Sequence, residues 1–212
     1  MPADQEERLD CRDAILVAVR AAGPGVLGRT TLQKILYLAK IKRLVDAEYS
    51  AHYYGPYSEE VFGCSQSLAA SGFVEERVHR LPGLPRLGLS QDEANERTRY
   101  AYEATEDGKS AAEDLLRTST AAQHLQDLIG ICKGLHVLDL RTLAGATKVH
   151  YVLHHQHELM TAEEIRMRAK DFGWRLNSDE VTRVATLLVK LGFATSQQVP
   201  KSDDLEELLE DD

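Results

Sequence analysis

The sequence has few of the residue patterns that support cross-linking, metal binding or membrane insertion. Its three cysteines, Cys11, Cys64 and Cys132, are far apart and form no CxxC pair, so neither a disulfide framework nor a zinc knuckle is indicated. No apolar run approaches the roughly 18 residues that a membrane helix needs. The acidic first residues also lack the basic and then apolar plan of a signal peptide. We therefore expect a cytoplasmic protein.

Catalytic motifs are equally scarce. No glycine-rich phosphate loop is present, and Ser58 and Asp107 lack the context of a hydrolase nucleophile or triad. His150, His154 and His157 fall at i, i+4 and i+7 on one helical face, a spacing at which histidines can bind zinc. Because the HExxH order is missing, we expect a histidine cluster rather than a metal site. The sequence predicts a protein that is not an enzyme and uses no cofactor.

Charge is distributed unevenly along the chain. The formal net charge is −9, and the acidic tail, residues 201–212, contributes seven acids and one base to it. The rest of the chain is therefore close to neutral, which permits a local basic face without the strongly basic balance of a dedicated nucleic-acid binder. The tail is predicted to be either a disordered solubilising segment or a helix that docks on a basic surface.

Hydrophobic periodicity in the first half predicts helices followed by a small β wing. A helix over 6–22 precedes a second helix, in which Gln33 and Lys34 are expected to face outward. An aromatic segment with a turn at Gly55-Pro56 leads to a third helix. Two strands around a long loop and a further helix complete the order of a winged helix. We predict a winged-helix-like domain over residues 1–119.

The second half has the pattern of a helical, helix-turn-helix-like domain. Thr161 and Glu164 have the spacing of a capping box, and Ser178 is expected to cap the last amphipathic helix. We predict that this domain covers residues 120–200 and precedes the acidic tail. The expected fold class is mainly α with a small β wing.

Two short motifs carry a resemblance to known families: LQKILY at 32–37 and YYGPYS at 53–58. Together they resemble the YwgA-like group of uncharacterised bacterial and archaeal proteins, and more distantly they are similar to the Panacea antitoxin domain. The resemblance covers roughly residues 10–80 and implies a helical, winged-helix-like fold. For the Panacea group it also implies a role in toxin neutralisation or mobile-element defence. It brings no catalytic residues with it.

Positive charge indicates where nucleic acid would bind. The third helix has the place of a recognition helix, but Glu59 and Glu60 on its exposed face would repel phosphate. Arginines of the wing and of the second half suit phosphate or minor-groove contacts better, although a solvated charged face has the same composition. The nucleic-acid-binding candidates are Arg77, Arg80, Arg86, Arg97, Arg99, Arg166, Arg168, Lys170, Arg175 and Arg183.

A different surface is predicted around the YYGPYS motif. Tyr53, Tyr54 and Tyr57 suit a surface that binds a ligand or partner by aromatic stacking. Alternatively, their rings belong to the core and their hydroxyl groups form hydrogen bonds. Glu59 and Glu60 would attract a basic protein partner.

Two hypotheses about function follow from these surfaces. The first is a winged-helix nucleic-acid-binding regulator or defence module, acting as a homodimer. The second is an antitoxin-like or adaptor module that binds a basic protein.

Overall fold

The computed structural model describes residues 7–80, 98–156 and 160–194. This part of the chain is mainly helical and contains two small antiparallel sheets, as the sequence predicts. In chain order the elements are α1 (Cys11–Ala22), α2 (Arg29–Ile41), β1 (Ser50–His52), β2 (Gly55–Tyr57), α3 (Glu59–Ala70), β3 (Val74–Arg80), β4 (Thr98–Ala104), α4 (Glu106–Thr118), α5 (Thr120–Gly134), α6 (Leu140–Gln156), α7 (Ala162–Ala169) and α8 (Ser178–Lys190).

The chain divides into two compact units. The first unit comprises Met1–Glu48 and Glu59–Leu138, and the second comprises Tyr49–Ser58 and Asp139–Asp212. This division differs from the predicted boundary at residue 119 because α5 packs on α1, and because the β1–β2 hairpin packs on α6. Helix patterns in the sequence do not show which elements pack together, so they could not place this boundary.

Helix α1 is the central element of the first unit. It contacts α2, α3, α4, α5 and β4, and its side chains from Ala14 to Val19 are all buried. Burial of such an apolar run removes it from water and supplies most of the driving force for this packing. Leu125 and Ile129 of α5 are fully buried as well, which explains why α5 belongs to this unit.

The ends of α1 and α4 follow from local chemistry. Asp10 accepts a hydrogen bond from the backbone N–H of Asp13 at 2.9 Å, so α1 begins at Cys11 rather than at residue 6. The Thr105 hydroxyl caps α4 by accepting from Gly108 N–H at 3.1 Å. A Cβ atom at Gly108 would lie 2.0 Å from the carbonyl oxygen of Phe73, so glycine permits the close approach of α4 to the wing.

Strands β3 and β4 form the wing of the first unit. They pair antiparallel from Val74 opposite Ala104 to Arg80 opposite Thr98. The element order α1, α2, α3, β3, β4 is the order that the sequence predicts for a winged-helix-like domain.

The second unit is built on α6, which contacts α7, α8 and β2. Its buried side chains meet the inward stripe of α8, including Val181, Val184 and Leu188. The predicted capping box is present at the start of α7, where Glu164 N–H donates to the Thr161 hydroxyl at 3.2 Å. Helix α8 is capped one residue earlier than predicted, by Asn177 instead of Ser178.

The β1–β2 hairpin differs from the predicted turn at Gly55-Pro56. Tyr53 and Tyr54 occupy the turn, whereas Gly55 and Pro56 lie in β2 opposite His52 and Ala51. Gly55 has a φ of 103°, a value that glycine adopts without strain directly after a tight turn. The tyrosines are therefore displayed at the tip of the hairpin.

Candidate functional site

The tip of the β1–β2 hairpin displays two tyrosines to solvent. Tyr53 is 72% exposed and Tyr54 is 49% exposed. Their rings meet edge to face with centroids 4.8 Å apart, a favourable geometry for an aromatic pair. The tip therefore presents an exposed aromatic surface, here called the tyrosine tip (Tyr53 and Tyr54).

The hairpin is anchored within the second unit directly beside its turn. The indole N–H of Trp174 donates to the His52 carbonyl oxygen at 2.7 Å, and Trp174 itself is 1% exposed. Gly55 and Pro56 are buried, and β2 contacts α6. Tyr57, the third predicted tyrosine, is half-buried beside His52, with ring centroids 5.1 Å apart. Because the residues that flank the turn are anchored and the tyrosines in the turn are exposed, the hairpin suits a preorganised contact surface.

An aromatic cluster holds Trp174 in place. Phe172 stacks on Trp174 with ring centroids 5.1 Å apart, and Tyr151 meets it edge to face at 5.5 Å. The ring of His155 stacks on Tyr151 at 4.0 Å. The Lys148 ammonium lies 5.9 Å from the Trp174 ring centroid, and burial lowers the pKa of Lys148. No sequence motif predicted this cluster, although Trp174 is the single tryptophan of the chain.

The predicted acidic partner residues belong to the first unit. Glu59 and Glu60 are exposed in the first turn of α3, where carboxylates interact favourably with the helix dipole. The predicted partner-binding set is thus divided: the tyrosines lie in the second unit and the glutamates in the first.

The wing arginine that the structure describes is paired with carboxylates. Arg77 contacts Glu103 at 2.9 Å and Glu75 at 3.4 Å. Arg80 and Arg99 lie in β3 and β4, but their side chains are outside the described part of the structure. Arg86 and Arg97 lie outside the described residues. Neighbouring glutamates therefore reduce the positive potential around Arg77.

Basic residues of the second unit also have acidic neighbours. Arg166 pairs with Glu163, its Nε lying 2.7 Å from Oε2, and this contact lowers the pKa of Glu163. Arg168 lies 3.6 Å from Asp171. The Lys170 ammonium lies 3.5 Å from the Met167 sulfur.

Two further arginines of this unit present their side chains to solvent. Arg175 and Arg183 are exposed, and no ion pair among the described residues includes them. They are predicted nucleic-acid contacts whose side chains are exposed in the described part of the second unit.

A polar network joins α2 to the wing in the first unit, and sequence reasoning missed it. The Arg29 guanidinium donates two hydrogen bonds of 2.6 Å to the Glu76 carboxylate and stacks over the Tyr100 ring at 3.7 Å. Hydrogen bonding from Arg29 lowers the pKa of Glu76. The buried Tyr102 hydroxyl donates to Ser65 at 3.2 Å, and burial raises its pKa. The partners are far apart in sequence, so no local pattern signals the contact.

The polar face expected on α2 is absent, and this corrects the prediction for Gln33 and Lys34. Both side chains are buried, and Lys34 is 1% exposed. Every residue from Thr31 to Ala39 is buried, so α2 has almost no solvent face. A buried ammonium is costly unless it is compensated, and both residues interact with other groups of the protein.

The histidines do not form a described metal site. His150 is buried, and burial followed by the neighbouring His154 and His155 lowers its pKa to about 4. The rings of His150 and His154 stack with centroids 5.9 Å apart, while His157 lies outside the described residues. Among residues 7–80, 98–156 and 160–194, no group of three or more His, Cys, Asp or Glu side chains is arranged to hold a metal.

Within these same ranges of the chain, none of the helices is long and apolar enough to cross a bilayer.

Comparison with known proteins gives one partial similarity. No family model matches the sequence. A segment of 64 residues is 39% identical to the uncharacterised protein YwgA of Bacillus subtilis (strain 168). The match covers 30% of this chain and 39% of YwgA, so the chain spans about two fifths of that relative's length. This similarity supports a YwgA-like resemblance and brings no support for the Panacea antitoxin domain.

Proposed function

We propose that this chain is a non-enzymatic binding module that docks a protein partner through the tyrosine tip. The observation that carries the proposal is the pair of exposed, edge-to-face tyrosines on a hairpin anchored by Trp174. Tyrosine is enriched among the residues that dominate binding energy at protein interfaces. Two rigid aromatic side chains also lose little conformational entropy on binding.

The chemistry of the chain favours a basic partner in the cytoplasm. The net charge is −9, and exposed Glu59 and Glu60 add negative charge on α3. Complementary charge accelerates encounter and selects against acidic partners. An antitoxin-like role, as the Panacea resemblance suggests, or an adaptor-like role is consistent with such a surface.

A matched set of variants tests this proposal. Partners captured from lysate by the full chain are identified, purified and titrated against wild type, the Tyr53→Ala/Tyr54→Ala double variant and Leu140→Ala. Leu140 is a suitable control because it is exposed to the same extent as Tyr54 and lies in the same unit. We expect the double variant to weaken binding by at least about tenfold, because hot-spot truncation costs more than ~1.4 kcal/mol. Equal binding by the double variant and wild type would refute the proposal.

A second candidate function is nucleic-acid binding by a winged-helix regulator or defence protein that acts as a homodimer. The exposed Arg175 and Arg183 and the wing favour it. Titration of duplex and single-stranded DNA at low and physiological salt tests it. If these arginines bind phosphates, Arg175→Gln/Arg183→Gln should reduce the slope of log K against log salt by about 0.9 for each phosphate that is no longer neutralised. Absence of binding at low salt would eliminate this candidate.

A further inference from the structure

In the part of the chain that the structure describes, the wing sheet has one open edge. Strand β3 pairs with β4 alone, in a two-stranded sheet. The other edge of β4 is covered, because the Tyr102 N–H donates to the Leu27 carbonyl oxygen at 2.8 Å. The Gly28 backbone lies beside β4 as well, since a Cβ atom on Gly28 would lie 2.4 Å from the Tyr100 carbonyl oxygen. The open edge therefore belongs to β3.

The hydrogen bonds of β4 show which backbone groups of β3 point outward. Opposite residues in an antiparallel pair alternate between hydrogen-bonded and non-hydrogen-bonded pairs. Tyr102 lies opposite Glu76 and directs its N–H away from β3, so these two residues form a non-hydrogen-bonded pair. The Thr105 N–H, in contrast, donates to the Phe73 carbonyl oxygen at 3.1 Å, as the alternation requires. The backbone N–H and C=O groups of Glu76 and Val78 therefore point away from β4.

The part of this edge that is available for pairing lies towards the end of the strand. Val74 is 2% exposed, whereas Val78 is 50% exposed. Among the described residues, no backbone hydrogen bond reaches Glu76 or Val78 from outside the β3–β4 pair. Because β3 ends at Arg80, the available edge runs over residues 76–80 and has Val78 at its midpoint. Outward backbone groups of this kind are a template on which another strand can pair.

We propose that β3 pairs antiparallel with β3 of a second copy of this chain, with Val78 at the two-fold axis. The available edge begins with acidic Glu76 and ends with basic Arg80. Antiparallel pairing therefore sets opposite charges at both ends of the shared ladder, whereas parallel pairing in register would set like charges side by side. At the centre, the exposed Val78 of each copy is removed from water by the other. The same edge thus meets itself, as a two-fold interface requires.

The rest of the strand is compatible with this pairing. On the opposite face, Arg77 contacts Glu103 at 2.9 Å and Glu75 at 3.4 Å, so its charge is balanced within one copy. The edge belongs to the first unit, whereas the tyrosine tip belongs to the second. The pairing gives a surface to the homodimer of the second candidate function, and it requires neither nucleic acid nor the tyrosine tip.

Sedimentation of the purified full-length chain over a range of concentrations tests the proposal. We expect a reversible monomer–dimer equilibrium. Val78→Lys should weaken the dimer at least about tenfold, because it sets two ammonium groups opposite each other at the axis. Val26→Lys is the matched control, since Val26 is an exposed apolar residue of the first unit outside β3, and it should leave the affinity unchanged. A chain that stays monomeric at every concentration, or equal affinity in the two variants, would overturn the proposal.

A proline variant separates edge pairing from folding of the wing. Val78→Pro removes an N–H that points away from β4, and edge strands accept proline at such positions. Circular dichroism should therefore show a folded protein, and its dimer should be weakened at least about tenfold. A folded Val78→Pro variant that dimerises like wild type would contradict pairing through this edge.

Amide hydrogen exchange followed by NMR locates the interface. The Val78 N–H should exchange rapidly in the dilute monomer and slowly at concentrations that give the dimer. The Arg77 N–H, which points towards β4, should be protected under both conditions. Protection of the Val78 N–H in the monomer would place another segment of the same chain on this edge and would overturn the proposal. Dimerisation that leaves the Val78 N–H unprotected, or that Tyr53→Ala/Tyr54→Ala abolishes, would overturn it as well.

Discussion

The two units use aromatic and charged side chains in opposite ways. In the first unit, Arg29, Glu76 and Tyr102 are tied into a network that fixes the wing against α2. In the second unit, Trp174 is buried to anchor a hairpin whose tyrosine tip stays exposed. The polar groups of this network are thus satisfied within the first unit, whereas the second unit displays two aromatic side chains, Tyr53 and Tyr54, to solvent. Such a display is typical of a contact surface.

Removing the anchor should have the largest effect on the second unit. Trp174→Ala deletes a buried indole and its hydrogen bond to His52, so we expect the free energy of unfolding to fall by about 3–5 kcal/mol. Trp174→Phe removes the N–H donor but keeps most of the volume, so its loss should be smaller. Denaturant unfolding followed by circular dichroism measures both variants. A Trp174→Ala variant as stable as wild type would contradict the anchoring role.

Acid should destabilise the second unit through His150. Its pKa is about 4 in the fold against 6.5 when unfolded, so the unfolded state binds the proton more readily. The stabilisation that neutral His150 provides is fully present above pH 6.5 and is lost as the pH falls towards 4. Over this range we expect the free energy of unfolding to fall by up to about 3 kcal/mol. Unfolding curves of wild type and His150→Gln across this range measure the loss. Identical pH dependence in both proteins would exclude His150 as the cause.

Breaking the network of the first unit should have an intermediate effect. Glu76→Gln leaves Arg29 without its carboxylate partner, and we expect a loss of about 1–3 kcal/mol, reduced by the partial exposure of Arg29. Because the pKa of Glu76 is lowered in the fold, its stabilisation is present above the usual glutamate range near ~4.3 and is lost below it. Denaturant unfolding should therefore show that wild type is more stable than Glu76→Gln at pH 7, with a smaller difference in the free energy of unfolding at pH 3. A difference confined to pH 3 would be inconsistent with this assignment.

A backbone substitution directly after α5 should raise stability slightly. His136 follows the helix with a φ of 54°, a left-handed conformation in which glycine is less strained. We expect His136→Gly to stabilise the first unit by about 0.5–1 kcal/mol. His124→Gly, in the interior of the same helix, should destabilise it by about 1 kcal/mol. Thermal unfolding of His136→Gly and His124→Gly measures both changes in stability. Changes of the same sign in the two variants would contradict the prediction.

Removing the tyrosine tip should have the smallest effect on stability. Tyr53 and Tyr54 are exposed, so Tyr53→Ala/Tyr54→Ala should change the free energy of unfolding by less than about 1 kcal/mol. Denaturant unfolding measures the change in the double variant, with Leu140→Ala as the matched control. A large loss would show that the tyrosines support the fold instead of presenting a surface.

Sequence reasoning predicted features that depend on local patterns. The mainly helical fold, the β wing and the capping box at Thr161 follow from periodicity and short-range hydrogen bonding. The burial of Lys34 was missed because α2 is enclosed on nearly all faces, which its charge pattern does not reveal. The placement of α5 and the Arg29–Glu76 contact depend on long-range packing, which the sequence does not encode as a recognisable motif.

For the candidate surfaces too, sequence reasoning captured local patterns and missed long-range contacts. Sequence reasoning left surface and core as alternatives for the YYGPYS tyrosines, and it placed the turn two residues late, at Gly55-Pro56. It could not identify the Trp174 anchor, because that contact joins residues far apart in the chain. The charge of the predicted arginines is visible in the sequence, but the Glu103 carboxylate beside Arg77 lies on the other strand and becomes apparent only in three dimensions. The carboxylates beside Arg166 and Arg168 are i, i+3 neighbours, which the sequence does show.

The most direct test of the central claim is the affinity of a purified partner for wild type and for Tyr53→Ala/Tyr54→Ala, measured by calorimetry under identical conditions. The account predicts at least about tenfold weaker binding by a double variant that is as stable as wild type. Unchanged affinity in a folded double variant would contradict it and would move the binding surface away from the tyrosine tip.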